Sequence, residues 1–333
     1  MTGEVVLVTG ASGAIGPAVV ESLIGSGYSV RTLTRRPPGQ SFSQSVDAHV
    51  GDIADPGRVS AAMAGASAVV HLAARLHFSG PESRDIEAYR RANVQGTAHV
   101  VGAATVARVR RVVFASTIAV YGSSLASAVN ETSPVRPDTP YAATKFEAEE
   151  IVRAARREDG VPLGVVLRFA AVYGSRLKGN YRSLVRALAR HRFVPVGDGQ
   201  SKRTLIHDHD VGRAILRVLE APAAGGRTFN VTDGSMHTTD DIVAAICTAL
   251  GRPVPRWRVP TGLAFAGTMV LDELYRLKGG GAGTLSDRLK RYVENVAVDG
   301  SAIQRELGFV PEYGLEQGWQ RVIEEMRASG ELT

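Results

Sequence analysis

Cysteine is almost absent: Cys247 is the only one in 333 residues, so no disulfide within the chain is possible. It sits in the helix-like run IVAAICTAL with no base placed beside it, which predicts a buried spectator thiol and not a nucleophile. Long apolar runs are also missing. The best candidate, residues 261–271, is too short for a membrane span and stops at Asp272-Glu273. No internal repeat is present, and the only low-complexity tract is GGGAG at 279–283, the strongest break in the chain. The opening MTGEVVLVTG carries an acid and enters a strand directly, unlike a signal peptide, so the cytoplasm is the expected compartment. No metal site is expected.

What is present is an ordinary folded composition, 44% hydrophobic and 22% charged, which excludes a disordered or collagen-like chain. At roughly 150 residues per domain the length allows one large domain or two smaller ones. Thirty-nine Lys+Arg against 33 Asp+Glu give a formal net charge of +6. That excess alone leaves nucleic acid, an acidic membrane or phosphorylated metabolites as partners. No nucleic-acid recognition motif accompanies it.

The first half alternates strands and helices. Apolar strands are predicted at 4–9, 29–34, 48–50, 68–73, 111–115 and 163–169, with helices at 14–26, 89–106 and 140–157. Strands apolar throughout and separated by helices of this length imply parallel pairing with both faces covered. The expected fold is therefore α/β, a Rossmann-type doubly wound parallel sheet. After residue 174 the rhythm loosens. A strand is predicted at 227–231 and a helix at 238–250 with acids Asp240-Asp241 in its first turn. The division is a dinucleotide-binding domain at 1–174, to which 204–232 returns. A smaller, less regular substrate-binding region would comprise 175–203 and 233–333. The apolar stretch 259–277 reads as a buried helix, with a hydrophobic lid or a surface-seeking helix as the alternatives.

The first strand runs into TGASGAIG, with Gly10, Gly13 and Gly16 three apart, and then into a helix. Glycine permits the tight turn and the close approach of backbone to a pyrophosphate. The following helix N-terminus offers free N–H groups to that anion. The acid that would bind a ribose 2′-hydroxyl about twenty residues later is missing, since no acid lies between Glu21 and Val46. The second strand ends instead in Arg35-Arg36, whose guanidinium groups suit a 2′-phosphate. NADP(H) is therefore favoured, with NAD(H) as the alternative. Asp52 is placed to accept from the adenine amino group.

Tyr141 and Lys145 are four apart on a predicted helix and share a face. A lysine cation beside a phenol, aided by oxidised nicotinamide, lowers its pKa from about 10 and makes it a usable proton carrier. Ser116 and Thr117 follow the fifth strand, at the sheet edge where such folds bind ligands.

These pieces, with Gly51-Asp52, HLAA at 71–74, NVQGT at 93–97 and VYG at 120–122, occur in order over the first 175 residues. The sequence resembles the extended short-chain dehydrogenase/reductases of the NAD-dependent epimerase/dehydratase family. The resemblance implies Thr117 as the catalytic hydroxyl, Tyr141 as acid/base and Lys145 as its helper on the nicotinamide ribose. It implies a cofactor lined by Gly10, Ser12, Gly13, Ala14, Ile15 and Gly16, by Arg35, Arg36, Asp52 and Ile53, and by Leu72, Ala73, Ala74, Asn93, Ala115 and Phe169. Asn93 would act there or as a brace near the catalytic helix. Homodimerisation through the helices at 89–106 and 141–157 is also implied.

Family dehydratases carry Asp-Glu after the catalytic threonine; here Ile118-Ala119 stand there, which argues against dehydration. The second half resembles nucleotide-sugar enzymes. Asn180, Val194 and Arg203 match the segment around the nucleoside diphosphate, Arg203 at the pyrophosphate, with Arg288 as a second contact and Ser116 near the reacting oxygen. Ala171 departs from the diphosphate-binding Asn of many sugar epimerases. The expectation is a nucleotide-sugar 4-epimerase or 4-ketoreductase. Alternatives are an NADPH-dependent reductase of a sterol-like or polyketide-like ketone, and a non-enzymatic NADP-binding regulator.

Overall fold

The computed structural model describes residues 3–37, 46–76, 85–123, 125, 127–174, 176, 179–277 and 285–332, and only the backbone at 270, 274–277, 288 and 291. The glycine tract at 279–283 and the side chain of Arg288 lie outside what is described.

The chain opens with β1 (Val5–Thr9), α1 (Gly16–Gly25), β2 (Ser29–Thr34), β3 (Val46–Val50), α2 (Pro56–Met63) and β4 (Ala68–His71). A continuous helical stretch follows as α3 (Ile86–Tyr89), a π-helical segment Arg90–Gln95 and α4 (Gly96–Val106). Then come β5 (Arg111–Thr117), α5 (Pro140–Ala154), β6 (Gly164–Phe169), β7 (Ala171–Tyr173), α6 (Asn180–Ala189), β8 (Lys202–Arg203), β9 (Leu205–His207), α7 (Asp208–Glu220) and β10 (Thr228–Val231). The C-terminal part holds β11 (His237–Thr238), α8 (Thr239–Leu250), α9 (Thr261–Leu277), α10 (Leu285–Val293), α11 (Ser301–Leu307) and α12 (Leu315–Ala328).

Seven strands form one parallel sheet in the order β10-β6-β5-β4-β1-β2-β3. β4, β6 and most of β1 and β5 are buried, because apolar clusters cover both faces. One gathers Val8, Val19, Leu23, Leu167, Ile215 and Phe229; the other gathers Leu7, Val69, Val100, Phe114, Val152 and Val166. The chain order reverses between β1 and β4, which opens a crevice at the C-terminal ends of the strands.

The region beyond 174 is more regular than its sequence rhythm suggests. It carries helices α6 to α12, with a third apolar cluster around Tyr173, Leu188, Ile242, Ile246, Trp319 and Ile323. Two of its helices, α7 and α12, mix arginine and glutamate with apolar residues, so no long apolar stretch announces them. α7 illustrates this: DHDVGRAILRVLE buries Val211, Ala214, Ile215, Val218 and Leu219 along one stripe. It packs so tightly on α1 that a Cβ on Gly212 would lie 2.8 Å from that of Ser22.

One expectation is corrected here. The helix at 261–277 exists, but it lies on the surface with Leu263, Met269 and Leu271 exposed, not buried. Arg110 and Arg111 clamp the end of α7 and the residues that follow it. Arg110 donates to the Leu219 carbonyl and pairs with Glu4, and Arg111 is buried and donates to the carbonyls of Ala221 and Pro222.

A buried ion pair joins the catalytic end of the sheet. Arg168 on β6 donates through Nε and Nη2 to both carboxylate oxygens of Glu149 on α5, with both side chains almost wholly excluded from solvent. Glu149 also accepts from the Ser116 hydroxyl at 2.5 Å. Arg168 Nη1 reaches the Tyr121 hydroxyl at 2.8 Å, and Tyr121 donates to Asn230 on β10. Stripping one member of a buried pair leaves the other charge uncompensated, at about 3–5 kcal/mol. Glu149→Gln is expected to lower unfolding stability by that order in urea titrations. Glu149→Leu/Arg168→Met should lose less than Glu149→Gln; an equal or larger loss in the double variant would contradict the pairing energetics.

Candidate active site

The site is assembled at the C-terminal edge of the sheet, where β1, β4, β5 and β6 end. Gly10 follows β1 at φ +74°, and its N–H donates to the Leu33 carbonyl of β2. A Cβ there would lie 2.5 Å from Ala73 N. At Gly16 a Cβ would strike the Ala11 carbonyl. Glycine is thus required at both ends of the turn, once by φ and contact and once by contact alone. Between them Ser12, Gly13 and Ala14 are exposed. α1 starts at Gly16 without a side-chain cap or an acid in its first turn. A cradle with unclaimed N–H groups and no competing anion fits the pyrophosphate of a dinucleotide.

Around that cradle, Arg35 and Arg36 are exposed just past the end of β2, beside the strand that feeds the turn. Asp52 is exposed after β3 and accepts from Ala54 N, while Ile53 is buried against Gly96. Leu72, Ala73 and Ala74 are partly covered residues following β4. Ala115 and Phe169 close the floor, the latter paired in register with Thr117.

A buried relay fixes this floor. Thr9 Oγ1 and His71 Nδ1 are 2.6 Å apart, His71 Nε2 and Thr97 Oγ1 are 3.0 Å apart, and Thr97 donates to the Asn93 carbonyl at 2.5 Å. Burial, with the Lys145 charge adding to it, pushes His71 down to about 3, so the ring stays neutral. The Asn93 amide is spent on the backbone of Arg75 and on Thr144 of α5. Of the two parts open to it, the side chain takes that of a brace. It stands in the π-helical segment, whose wider turn lets helix and loop be tied at one residue.

The catalytic candidates converge. Thr139 caps α5, accepting from Ala142 N, and Pro140 opens its first turn, which sets Tyr141 at the sheet edge with Lys145 one turn on. The Thr117 side chain stands near the Tyr141 phenol and pulls its pKa down. Ser116, by contrast, faces inward to Glu149 and is buried. Ile118 and Ala119 begin a 3₁₀ turn, with no carboxylate where a dehydratase would carry two.

The electrostatics differ from expectation. Burial pushes Tyr141 up to about 12, with Thr117 acting only in the opposite sense, and Lys145 is not among the causes. Lys145 Nζ instead donates to the Ala115 carbonyl at 2.5 Å and lies 3.8 Å from the centre of the Phe114 ring. Burial pushes it down to about 7 against the pull of Glu149. The chain by itself therefore holds the phenol protonated, and burial outweighs the expected lysine effect.

On the substrate side, Asn180 and Val194 are exposed, at the start of α6 and after it. Arg203 is half-buried on β8 and donates to the Tyr292 carbonyl. Sequence reading missed Glu149, Arg168 and Thr144. Glu149 could have been found as the third member of the Tyr141–Lys145 face, and Arg168 as the lone charge in an apolar strand.

Lys145 makes stability depend on pH. Its folded pKa near 7 lies below the unfolded value of 10.5, so the unfolded chain binds more protons between those limits. Stability from this group therefore rises with pH across that window and falls as pH drops toward 7. In thermal scans from neutral to pH 10, Lys145→Met should flatten the rise relative to the parent chain. Parallel curves would contradict a buried, low-pKa lysine.

Comparison with known proteins agrees with this geometry. The NAD dependent epimerase/dehydratase family model matches residues 6–232. An N-acetyl-alpha-D-glucosaminyl-diphospho-ditrans,octacis-undecaprenol 4-epimerase of Escherichia coli O157:H7 is 28% identical over 96% of this chain and 94% of its own length. A dTDP-glucose 4,6-dehydratase of Streptomyces griseus is 31% identical over 94% of this chain and 90% of its own. The structure of MoeE5 in complex with UDP-glucuronic acid and NAD superposes with a TM-score of 0.75 at 30% identity, covering 98% of this chain and 100% of that one. The chain belongs to the NAD dependent epimerase/dehydratase family and is an enzyme of the extended short-chain dehydrogenase/reductase type.

Proposed function

We propose that the protein is a nucleotide-sugar 4-epimerase, oxidising and re-reducing one sugar carbon with a nicotinamide cofactor. The observation that carries this is the meeting of Thr117, Tyr141 and Lys145 at the sheet edge beside the glycine turn, without carboxylates at 118 and 119. The cofactor, when bound, supplies the hydride acceptor and donor. Thr117 orients the reacting oxygen, and Tyr141 exchanges a proton with it through the phenol oxygen. Lys145 lies on the ribose side with its charge held by the Ala115 carbonyl. Asn180, Val194 and Arg203 would face the nucleoside diphosphate, with Arg288 as a further contact. Gly10, Ser12, Gly13, Ala14 and Ile15 would meet the cofactor pyrophosphate, Asp52 its adenine, and Leu72 to Ala74 its nicotinamide side. α4 and α5 would form the dimer contact. The domain division is proposed as read from sequence.

A 4-ketoreductase is the second reading, favoured by one observation: a phenol held protonated is poised to give its proton, the direction of a reduction. Relatives of this chain include a farnesyl-quinoline oxide ketoreductase of Stigmatella aurantiaca, 29% identical over 93% of both chains.

Purified protein that interconverts two nucleotide sugars without added reductant would be an epimerase; stoichiometric consumption of NADPH would make it a ketoreductase. Tyr141→Phe should lower turnover by about 10²-fold or more while nucleotide-sugar binding persists. Unchanged turnover would remove Tyr141 from the chemistry. For the cofactor, Arg35 and Arg36 favour NADP(H) over NAD(H). Arg35→Ala/Arg36→Ala should weaken NADPH binding about 10- to 100-fold, the worth of one charged hydrogen bond or so, and leave NADH unchanged. Equal effects on both cofactors would refute 2′-phosphate recognition.

A further inference from the structure

α9 is an amphipathic helix turned inside out. Advancing about 100° per residue, its covered side carries Thr261, Ala264, Phe265, Thr268 and Asp272. The Asp272 carboxylate accepts from Leu285 N, Ser286 N and the Ser286 hydroxyl, tying α9 to the start of α10. Of the exposed apolar residues, Leu263 and Ala266 lie on the far side of the helix and Met269 and Leu271 at its two edges, with Glu273, the one acid on that arc among the described side chains, between Met269 and Ala266. Leu263 is 67% exposed and Met269 66%. A helix packed only for its own fold would bury that arc and present the other.

The patch extends past the helix. Val259 is joined to Val196 by a β-bridge and to Pro195 and Gly197 by backbone hydrogen bonds, which sets the segments before α9 and after α6 side by side. Trp257, 88% exposed, adds apolar surface there. The rim is basic. Arg190, Arg192, Arg252 and Arg256 are exposed, Arg252 lying against His191 at 2.8 Å. Neither 183–197 nor 251–271 contains an acid.

We propose that this face docks on an anionic lipid bilayer, with Trp257, Leu263, Met269 and Leu271 at the headgroup–acyl boundary and the arginines on the headgroup phosphates. An exposed apolar helix face bordered by arginine and tryptophan has the composition of an interfacial anchor. At 17 residues, α9 falls short of a span, and among the described residues no helix is long and apolar enough to cross a membrane. Charge complementarity selects a lipid surface over a second copy of the chain, whose matching patch would carry the same positive rim. The docking is independent of which sugar or ketone the active site accepts.

The two tryptophans make the test clean, because Trp319 is 1% exposed and Trp257 is the one a bilayer can reach. Full-length protein is mixed with vesicles of phosphatidylcholine alone or with phosphatidylglycerol, and pelleting and tryptophan emission are read. The expected result is pelleting and a blue shift with phosphatidylglycerol only, both lost in high salt. Leu263→Glu/Met269→Glu should abolish both while keeping the parent melting temperature and cofactor binding, since both side chains are about two-thirds exposed. Trp257→Ala should remove the blue shift. Pelleting that survives the double substitution, or that is equal on neutral vesicles, would overturn the proposal. So would self-association in sedimentation velocity that the double substitution removes, with no vesicle binding.

Discussion

The buried Glu149–Arg168 pair is the constraint on which the site depends. Four elements meet through it: α5 through Glu149, β6 through Arg168, β5 through Ser116, and β10 through Asn230 by way of Tyr121. Two charges removed from water tolerate little displacement, because each lost contact leaves a desolvated charge behind. Glu149 stands one turn beyond Lys145 and two beyond Tyr141, so fixing Glu149 fixes the face of α5 that carries the chemistry. The same carboxylate holds Ser116, the neighbour of Thr117. The position of the phenol relative to the Thr117 hydroxyl is thus set from beneath.

A second, neutral network fixes the cofactor side. The Thr9–His71–Thr97 relay ties the end of β1 to β4 and α4, and Asn93 ties the Arg75 loop to α5. His71 is kept uncharged by burial, so it can bridge two hydroxyls without adding a cation beside Lys145. Lys145 links the two networks: its ammonium rests on the Ala115 carbonyl and the Phe114 ring, at the price of a depressed pKa. Desolvation holds the Tyr141 phenol protonated, with Thr117 beside it acting in the opposite sense. Such a phenol exchanges its proton only when a reacting oxygen arrives, which keeps an idle site from ionising.

How much of this was legible in the sequence follows from how local each feature is. Gly10, Gly13 and Gly16 serve a turn whose requirements lie within eight residues, and Tyr141 and Lys145 share a helix face by spacing alone. The parallel sheet was legible because its central strands are nearly all apolar. Glu149 and Arg168 were missed because their partnership spans two elements and only the fold brings them together. α7 and α12 were missed because their apolar stripes are diluted by arginine and glutamate. The stretch 261–277 misled in the opposite sense: its hydrophobicity reads as core, yet the more polar side of the helix is the one that packs.

Three kinds of arginine in this chain differ by environment. Arg168 and Arg111 are buried, with guanidinium groups committed to carboxylate or carbonyl oxygens, so they hold the fold and present nothing to a partner. Arg35 and Arg36 stand exposed at the edge where the dinucleotide cradle opens. Arg190, Arg192, Arg252 and Arg256 border an apolar surface on the other part of the chain. A net charge of +6 averages over these and over arginines paired with surface carboxylates, such as Arg108 with Glu158. Arg35 and Arg36, adjacent at the end of one strand, suit a single phosphate group; the other four are spread over the segments after α6 and before α9, as recognition of a plane of phosphates would require.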